Sequence, residues 1–283
     1  VKFPLPPTWR EQPDQYMDRN TQKDRWINHW KPKLPDMMRA YYAMTTALDV
    51  EVGRLMQALK DSKIDGDTIV IFTSDHGEMF GAHGRVFKMI FYEESVRVPF
   101  IVRWPKNIPA GAVSDACMAT PDIMPTILGL TGQPIPKAVE GMDLSQITLG
   151  KTGPEPEFAL MQGMGHTYLW KNGFEWRAIR DKQYTYGRYL IDGKELLFDN
   201  QNDPTQAINL ATVAAHAKLL KTMRDKMNTR MTALNDGFHT CTWYRDNWID
   251  DRVVTEGAQG VFKRQLGPTI PIDTTYSGVK KTK

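Results

Sequence analysis

The run Thr68-Ile-Val-Ile-Phe-Thr-Ser-Asp-His-Gly-Glu78 decides how this 283-residue chain is read. Its first six residues are short, almost wholly apolar and β-branched, the pattern of a strand buried on both faces as in a parallel sheet. Ser74-Asp75-His76-Gly77 ends it. A second such run, Val98–Arg103, is bounded by Trp104-Pro105. Upstream, Leu34, Met37, Met38, Tyr41, Tyr42, Thr45, Leu48, Val52, Leu55, Met56 and Leu59 recur at three- and four-residue steps, which predicts a helix from about Pro35 to Asp61. Asp36 suits the positive end of its dipole. Downstream, Thr120-Pro121-Asp122 supplies an N-cap, a proline at the first helical position and an acid in the first turn, starting a helix that stops at Gly132. Helix, strand, loop, strand and helix together predict an α/β layered sheet.

The pattern changes near residue 150, where Gly150–Pro156 is a polar connector. Beyond it, short alternating runs at Phe158–Met161, Glu175–Arg180, Lys182–Tyr189 and Glu195–Phe198, with a turn signal at Asp192-Gly193, predict an antiparallel meander. An amphipathic helix follows at about Val213 to Leu234, with Leu219, Met223, Met227 and Met231 on one stripe. Residues 1–35 read as loop with brief helical turns, because prolines punctuate them. The last fifty residues read as an irregular tail wrapping the domain.

Composition narrows the function classes. With 41% apolar and 10% aromatic residues the chain can bury a sizeable core, which excludes wholly disordered or collagen-like polymers. Thirty-six basic against 33 acidic residues leave a charge of +3, interleaved along the chain, so no nucleic-acid partner is expected. No window of 18 uninterrupted apolar residues occurs, so no membrane span is expected. Two cysteines, Cys117 and Cys241, cannot make a disulfide framework or a zinc site of several thiolates. The chain opens on Val1 with no charged-then-apolar leader, and the natural start is expected to have been lost by processing or truncation.

The chemistry concentrates between Thr73 and Pro99. Ligands in open α/β sheets sit beyond the carboxyl ends of strands, where Asp75 and His76 fall. A carboxylate beside an imidazole can face one divalent cation, the oxygen favouring a hard ion and the nitrogen widening the choice. Taken alone, Asp-His-Gly is more often an ordinary turn. Lys88 strengthens it, standing in the otherwise apolar run Val86-Phe-Lys-Met-Ile-Phe-Tyr92, where an amine is either paired or awaiting an anion, or else snorkels to the surface as an ordinary exposed lysine.

These residues carry a resemblance. Thr68 to Glu78, Gly81-Ala-His-Gly84, Lys88 and Tyr92-Glu-Glu-Ser-Val-Arg-Val-Pro-Phe-Ile-Val-Arg-Trp-Pro105 resemble the second signature region of the sulfatase family, within the alkaline-phosphatase-like superfamily. Tyr42–Leu59 resembles the family helix before that strand. Asp122-Ile-Met-Pro-Thr-Ile-Leu128 resembles its Asp-x-x-Pro-Thr element, and Trp176–Tyr186 with Glu195–Leu210 its C-terminal sheet. The resemblance implies an alkaline-phosphatase-like sheet, the C-terminal half of the catalytic domain, over 1–154, and a small antiparallel sheet plus helix subdomain over 155–283. It implies Asp75 and His76 as ligands of a divalent cation, commonly Ca2+, with Mn2+ or Mg2+ as alternatives. Lys88 matches the lysine that holds a sulfate oxygen, and His83 is expected to line the pocket in a catalytic or substrate-binding role. Glu93 and Arg97 are expected to form a structural ion pair or to fix the loop.

Sulfatases act through a formylglycine made within Cys-x-Pro-Ser-Arg or Cys-x-Ala-x-Arg. Neither cysteine here fits: in Cys117-Met-Ala-Thr-Pro121 a proline takes the arginine position, and both cysteines read as core. The nucleophile is therefore expected in a missing N-terminal half of the same enzyme, and the chain alone is expected to be inactive. The expected substrate is a small-molecule or carbohydrate sulfate ester. Two other readings stay open: a phosphonate monoester or phosphodiester hydrolase of the same superfamily, and a non-catalytic binding module using the aromatic ends (Trp9, Trp26, Trp30; Trp243, Tyr244, Trp248). Residues 1–35 and 235–270 are expected at the pocket rim. Family habit favours the periplasm or the cell exterior, and a homo-oligomer is left open.

Overall fold

The computed structural model describes residues 3–17, 25–167 and 170–250, with the pairs 253–254, 256–257 and 260–261. Two compact units emerge: Val1–Asp14, Arg19–Lys88 and Tyr92–Ala159 form one, and Gln15–Asp18, Met89–Phe91 and Leu160–Lys283 the other.

In the first unit a π-helical turn, Trp26–Trp30, runs directly into the long helix α1 (Lys31–Asp61). The helix thus begins four residues before Pro35, with Pro32 in its first turn. Its apolar stripe meets little of the described chain: Leu34 is buried, whereas Tyr41, Tyr42, Leu48 and Leu55 are exposed. Strand β1 (Val70–Thr73) pairs with β2 (Phe100–Arg103), Val70 opposite Arg103 and Thr73 opposite Phe100. The pair is antiparallel and two-stranded, and neither strand is buried on both faces; Ile101 is 59% exposed. A continuous apolar run records that both faces are apolar, but it fixes neither the direction of the neighbour nor what covers it. That is where the parallel-sheet expectation parted from the structure.

Between the strands lies the one-turn helix α2 (Glu93–Val96), and beyond them α3 (Thr120–Leu130) and the short α4 (Ser145–Thr148), which pack together. The cap of α3 is Ala119 rather than Thr120. Buried Asp122 reaches back to accept the Ala119 N–H (2.8 Å) and with its other oxygen takes the Met142 N–H (2.7 Å). An acid in the first turn thereby closes the helix start and ties down the chain leading to α4.

The second unit is a four-stranded sheet in the order β3 (Ala159–His166), β4 (Lys171–Arg180), β5 (Tyr184–Tyr189), β6 (Glu195–Asp199). Trp176 lies opposite Tyr189 across β4 and β5, and Tyr184 opposite Asp199 across β5 and β6, both antiparallel. Asp192-Gly193 makes the turn between β5 and β6, with Gly193 at φ +69°, a region glycine enters without strain. Helix α5 (Ala217–Ala233) lays Met223, Met227 and Met231 onto β4 and β5, all three buried. A further helix, α6 (Cys241–Trp248), starts where the Thr240 hydroxyl accepts the Trp243 N–H, so the tail is not irregular there. Arg177 on β4 and Asp236 beyond α5 form a buried, bidentate ion pair. Two short antiparallel pairs follow, Ile249–Asp250 with Val253–Val254 and Glu256–Gly257 with Gly260–Val261. The remainder of the expected tail, with its basic end at Lys280, Lys281 and Lys283, lies outside the described residues.

Candidate functional site

Residues 74–92 leave the end of β1 and are fixed mainly by main-chain bonds. Gly77 N–H donates to Ser95 O (2.7 Å), Met79 N–H to Phe87 O (2.8 Å) and Gly81 N–H to Arg85 O (2.7 Å). The amino-terminal segment braces the same loop: His83 N–H donates to Thr8 O (2.9 Å), Asp14 N–H to Gly84 O (3.0 Å), and Arg85 pairs with Asp14 at 2.9 Å in a buried contact.

On this frame Asp75, His76 and Lys88 meet. Asp75 Oδ1 accepts the His76 N–H (2.9 Å) and the Ser74 hydroxyl (3.3 Å), which leaves Oδ2 facing His76 Nε2 at 3.1 Å. His76 Nδ1 lies 2.8 Å from Gly77 O. A carbonyl only accepts, so Nδ1 carries the ring proton and Nε2 a lone pair; the tautomer follows from the partners. The Lys88 amine sits 2.6 Å from that lone pair and donates to it. Two lone-pair atoms, Oδ2 and Nε2, therefore face the same space 3.1 Å apart, with an ammonium beside them. The ammonium takes up the one Nε2 lone pair here, so Asp75 Oδ2 and His76 Nε2 can face a cation together only when the Lys88 amine has moved aside. The Asp75 side chain is 80% exposed. What desolvation it feels raises its pKa, but the His76 N–H and the Ser74 hydroxyl help hold the carboxyl below its usual value.

Lys88 is exposed and stands between Phe87 (φ +67°) and Met89 (φ +73°), two non-glycine residues in the left-handed region. Such backbone is costly and collects at functional sites. Its amine reaches His76, and because Lys88, Phe87 and Met89 are all exposed the run does not oblige the lysine to find a partner.

His83 has a different place. It is fully buried, its ring stacked on Tyr92 at 3.8 Å between centroids, with Nε2 3.8 Å from Glu94 Oε1. Within the described residues the ring has no exposed surface and packs on Tyr92. Sequence reading could see the Gly-x-His-Gly turn but not which way its imidazole faced. Burial raises the Glu94 carboxyl pKa and pushes the Tyr92 phenol up to about 12. Arg97 and Glu93 approach to 3.8 Å, the ion pair expected of them. Both cysteines are free and buried, and burial pushes the Cys241 thiol up to about 12, helped by Glu175. Among the described residues, no three His, Cys, Asp or Glu side chains gather to hold a metal. This chain therefore offers Asp75 and His76 as a pair of donors.

Comparison with known proteins shows the family. Residues 5–133 match the sulfatase family, and residues 81–233 match the C-terminal family of N-sulphoglucosamine sulphohydrolase. The chain is 35% identical over 243 residues to an ulvan-active sulfatase of Formosa agariphila, covering 82% of this chain and 47% of that protein. It is 32% identical over 241 residues to an endo-4-O-sulfatase of Bacteroides thetaiotaomicron, covering 78% and 45%. It thus spans about half the length of the curated relatives it matches. A solved structure in complex with its substrate D-glucosamine-2-N,6-O-disulfate superposes with a TM-score of 0.67 at 26% identity, covering 73% of this chain and 43% of that one. The phosphonate monoester hydrolase of Agrobacterium radiobacter superposes at 0.64 and 27% identity, covering 72% and 43%. An α/β chain with these matched segments and this loop after β1 belongs to the sulfatase family.

Proposed function

We propose that this chain supplies the cation- and oxyanion-facing side of the active site of an enzyme that hydrolyses sulfate esters of carbohydrates or small molecules. The observation that carries the reading is the convergence of Asp75 Oδ2, His76 Nε2 and the Lys88 amine. Asp75 and His76 would hold a divalent cation, with Ca2+ first and Mn2+ or Mg2+ as alternatives; a carboxylate oxygen and a neutral imidazole nitrogen suit each. Two donors do not complete a coordination shell, and the reading assigns the remaining ligands, and a formylglycine nucleophile, to sequence outside these 283 residues. When bound, such a cation supplies positive charge against which a sulfate oxygen is polarised.

The chain's own residues have distinct tasks. Asp75 stays ionised, its Oδ1 fixed by two donors so that Oδ2 keeps its aim. The Gly77 carbonyl holds the proton on His76 Nδ1 and so keeps the lone pair on Nε2. Lys88 brings a fixed positive charge to a tetrahedral oxyanion, stabilising the charge that shifts onto sulfate oxygens as the ester S–O bond breaks. Without a nucleophile of its own, the chain alone is proposed to bind a cation weakly and turn nothing over.

Assay of the full-length polypeptide that carries this chain, on 4-nitrophenyl sulfate with added Ca2+, tests the reading. Hydrolysis lost on chelation, and lost in Asp75→Ala and His76→Ala, is the expected result. Hydrolysis that survives both substitutions would overturn the assignment. The similarity to a phosphonate monoester hydrolase supports a second reading, in which the same site cleaves a phosphorus ester. Sulfate and phosphate oxyanions are alike in shape and differ by about one charge, so these ligands discriminate poorly. A larger kcat/KM on an aryl phosphodiester than on the aryl sulfate would select that alternative.

A further inference from the structure

The Lys88 amine and the His76 imidazole touch across eleven intervening positions of a largely buried loop, and Lys88 itself is exposed between two left-handed residues. Nothing in a lysine's own chemistry holds such a geometry, so a separate device must. The loop has a neck. Phe87, the residue before Lys88, has both its backbone groups tied to the residues that follow His76-Gly77. Its carbonyl accepts the Met79 N–H (2.8 Å), and its N–H donates to the Glu78 carboxylate at 2.6 Å. The same Glu78 oxygen, Oε1, accepts the Phe80 N–H at 3.2 Å. The rings are anchored too, Phe80 edge-on to Tyr41 and Phe87 edge-on to Trp30, each about 5 Å between centroids.

We propose that Glu78 is the positioning residue for Lys88: by clamping the Phe87 and Phe80 N–H groups it closes the loop at its neck and sets the amine onto the imidazole. The role in turnover rests on the sulfatase reading above; the clamp does not. A carboxylate suits the task because an anionic acceptor binds two amide donors more strongly than a neutral one. The neck begins two residues after His76 and ends one before Lys88, so its closure sets the distance between them. Glu78 carries no mark in the sequence beyond following Asp-His-Gly, a place where an exposed acid is ordinary.

The test compares Glu78→Gln, whose amide oxygen can still accept both N–H groups, with Glu78→Ala, which cannot. On the folded protein, amide exchange at Phe87 should be about tenfold faster in E78A, the loss of a charge-assisted hydrogen bond, and near wild type in E78Q. The NMR cross-peak between the Lys88 ε-methylene and the His76 ring should vanish in E78A and persist in E78Q. Persistence of that cross-peak in E78A, or unchanged exchange at Phe87, would overturn the proposal. In the full-length enzyme, E78A should lower kcat/KM about 10- to 100-fold, and should have no further effect in a Lys88→Met background. Additive losses in the double variant would overturn action through Lys88. If wild type hydrolyses no sulfate ester while the cross-peak and exchange behave as stated, the sulfatase reading fails and the clamp stands.

Discussion

A β-carbon at Gly77 would meet the carbonyl oxygen of Glu94 at 2.0 Å, and that oxygen belongs to the backbone of α2, where it cannot rotate away. Only glycine lets the turn carrying His76 lie this close to the helix. Gly77→Ala is therefore expected to push the turn off α2 and to cost about 1–3 kcal/mol of stability, the range for forced overpacking. Denaturant unfolding measures the loss, and Ca2+ affinity of the same variant should fall with it. A variant with unchanged midpoint and affinity would show the approach to be no constraint.

Lys88 separates function from fold. Its side chain is exposed, so Lys88→Met should move stability by no more than about 0.5 kcal/mol. In the full-length enzyme the same change should lower kcat by about 10²–10³-fold, the scale for removing one fixed charge from a developing oxyanion. Thermal melting and steady-state kinetics on one preparation check both halves.

Asp236 and Arg177 predict an acid-sensitive second unit. Burial raises the Asp236 carboxyl pKa, but the Arg177 hydrogen bonds and charge, the Phe238 N–H and the Gln162 amide prevail and hold it below the usual carboxylate range. A carboxyl whose pKa is lower folded than unfolded stabilises the fold above the unfolded value, about 4, and that gain disappears as pH falls through the folded value. Asp236→Asn should cost about 3–5 kcal/mol at pH 7, with the gap to wild type narrowing on acidification.

Glu94 carries the opposite sign. Burial raises its pKa, Glu93 adds to the rise, and Oε2 is buried without a hydrogen-bond partner. Stability from its neutral form is complete below the unfolded pKa and is lost as pH climbs through the folded one. Glu94→Gln should therefore equal or exceed wild type at pH 7, with any advantage fading below about pH 4, in urea titrations across that range.

Met227 is fully buried on α5, against β4 and β5. Met227→Ala removes apolar volume that neighbours cannot refill and should cost about 2–5 kcal/mol. A loss under about 1 kcal/mol would mean the helix is not part of that core.

Local and periodic features were legible in the sequence. The four meander strands, the Asp192-Gly193 turn and the methionine stripe of α5 follow from period-2 and period-3.6 patterns that reflect one covered face. The Asp75–His76–Lys88 group was legible because strand end, turn and an isolated amine coincide within fifteen residues of sequence. Partnership was not legible. The stripe of α1 and the runs of β1 and β2 are apolar, yet Tyr41, Leu48 and Ile101 are exposed, since composition says what a face prefers and not what meets it. Nor could spacing tell that His83 turns inward onto Tyr92, or that Glu78 binds main-chain groups nine residues away. Those outcomes depend on φ values and close approaches that residue types do not encode.

The β1–β2 ribbon has a mechanical consequence. Among the described residues β2 is the one strand paired with β1, at whose end the ledge bearing Asp75 begins. Its rigidity comes from underneath, where Thr8 grips His83, Asp14 grips Gly84 and Arg85, and Ser95 grips Gly77. The far amino-terminal stretch is thus foundation for the ledge, and loosening it would unsettle Asp75 from some sixty positions away.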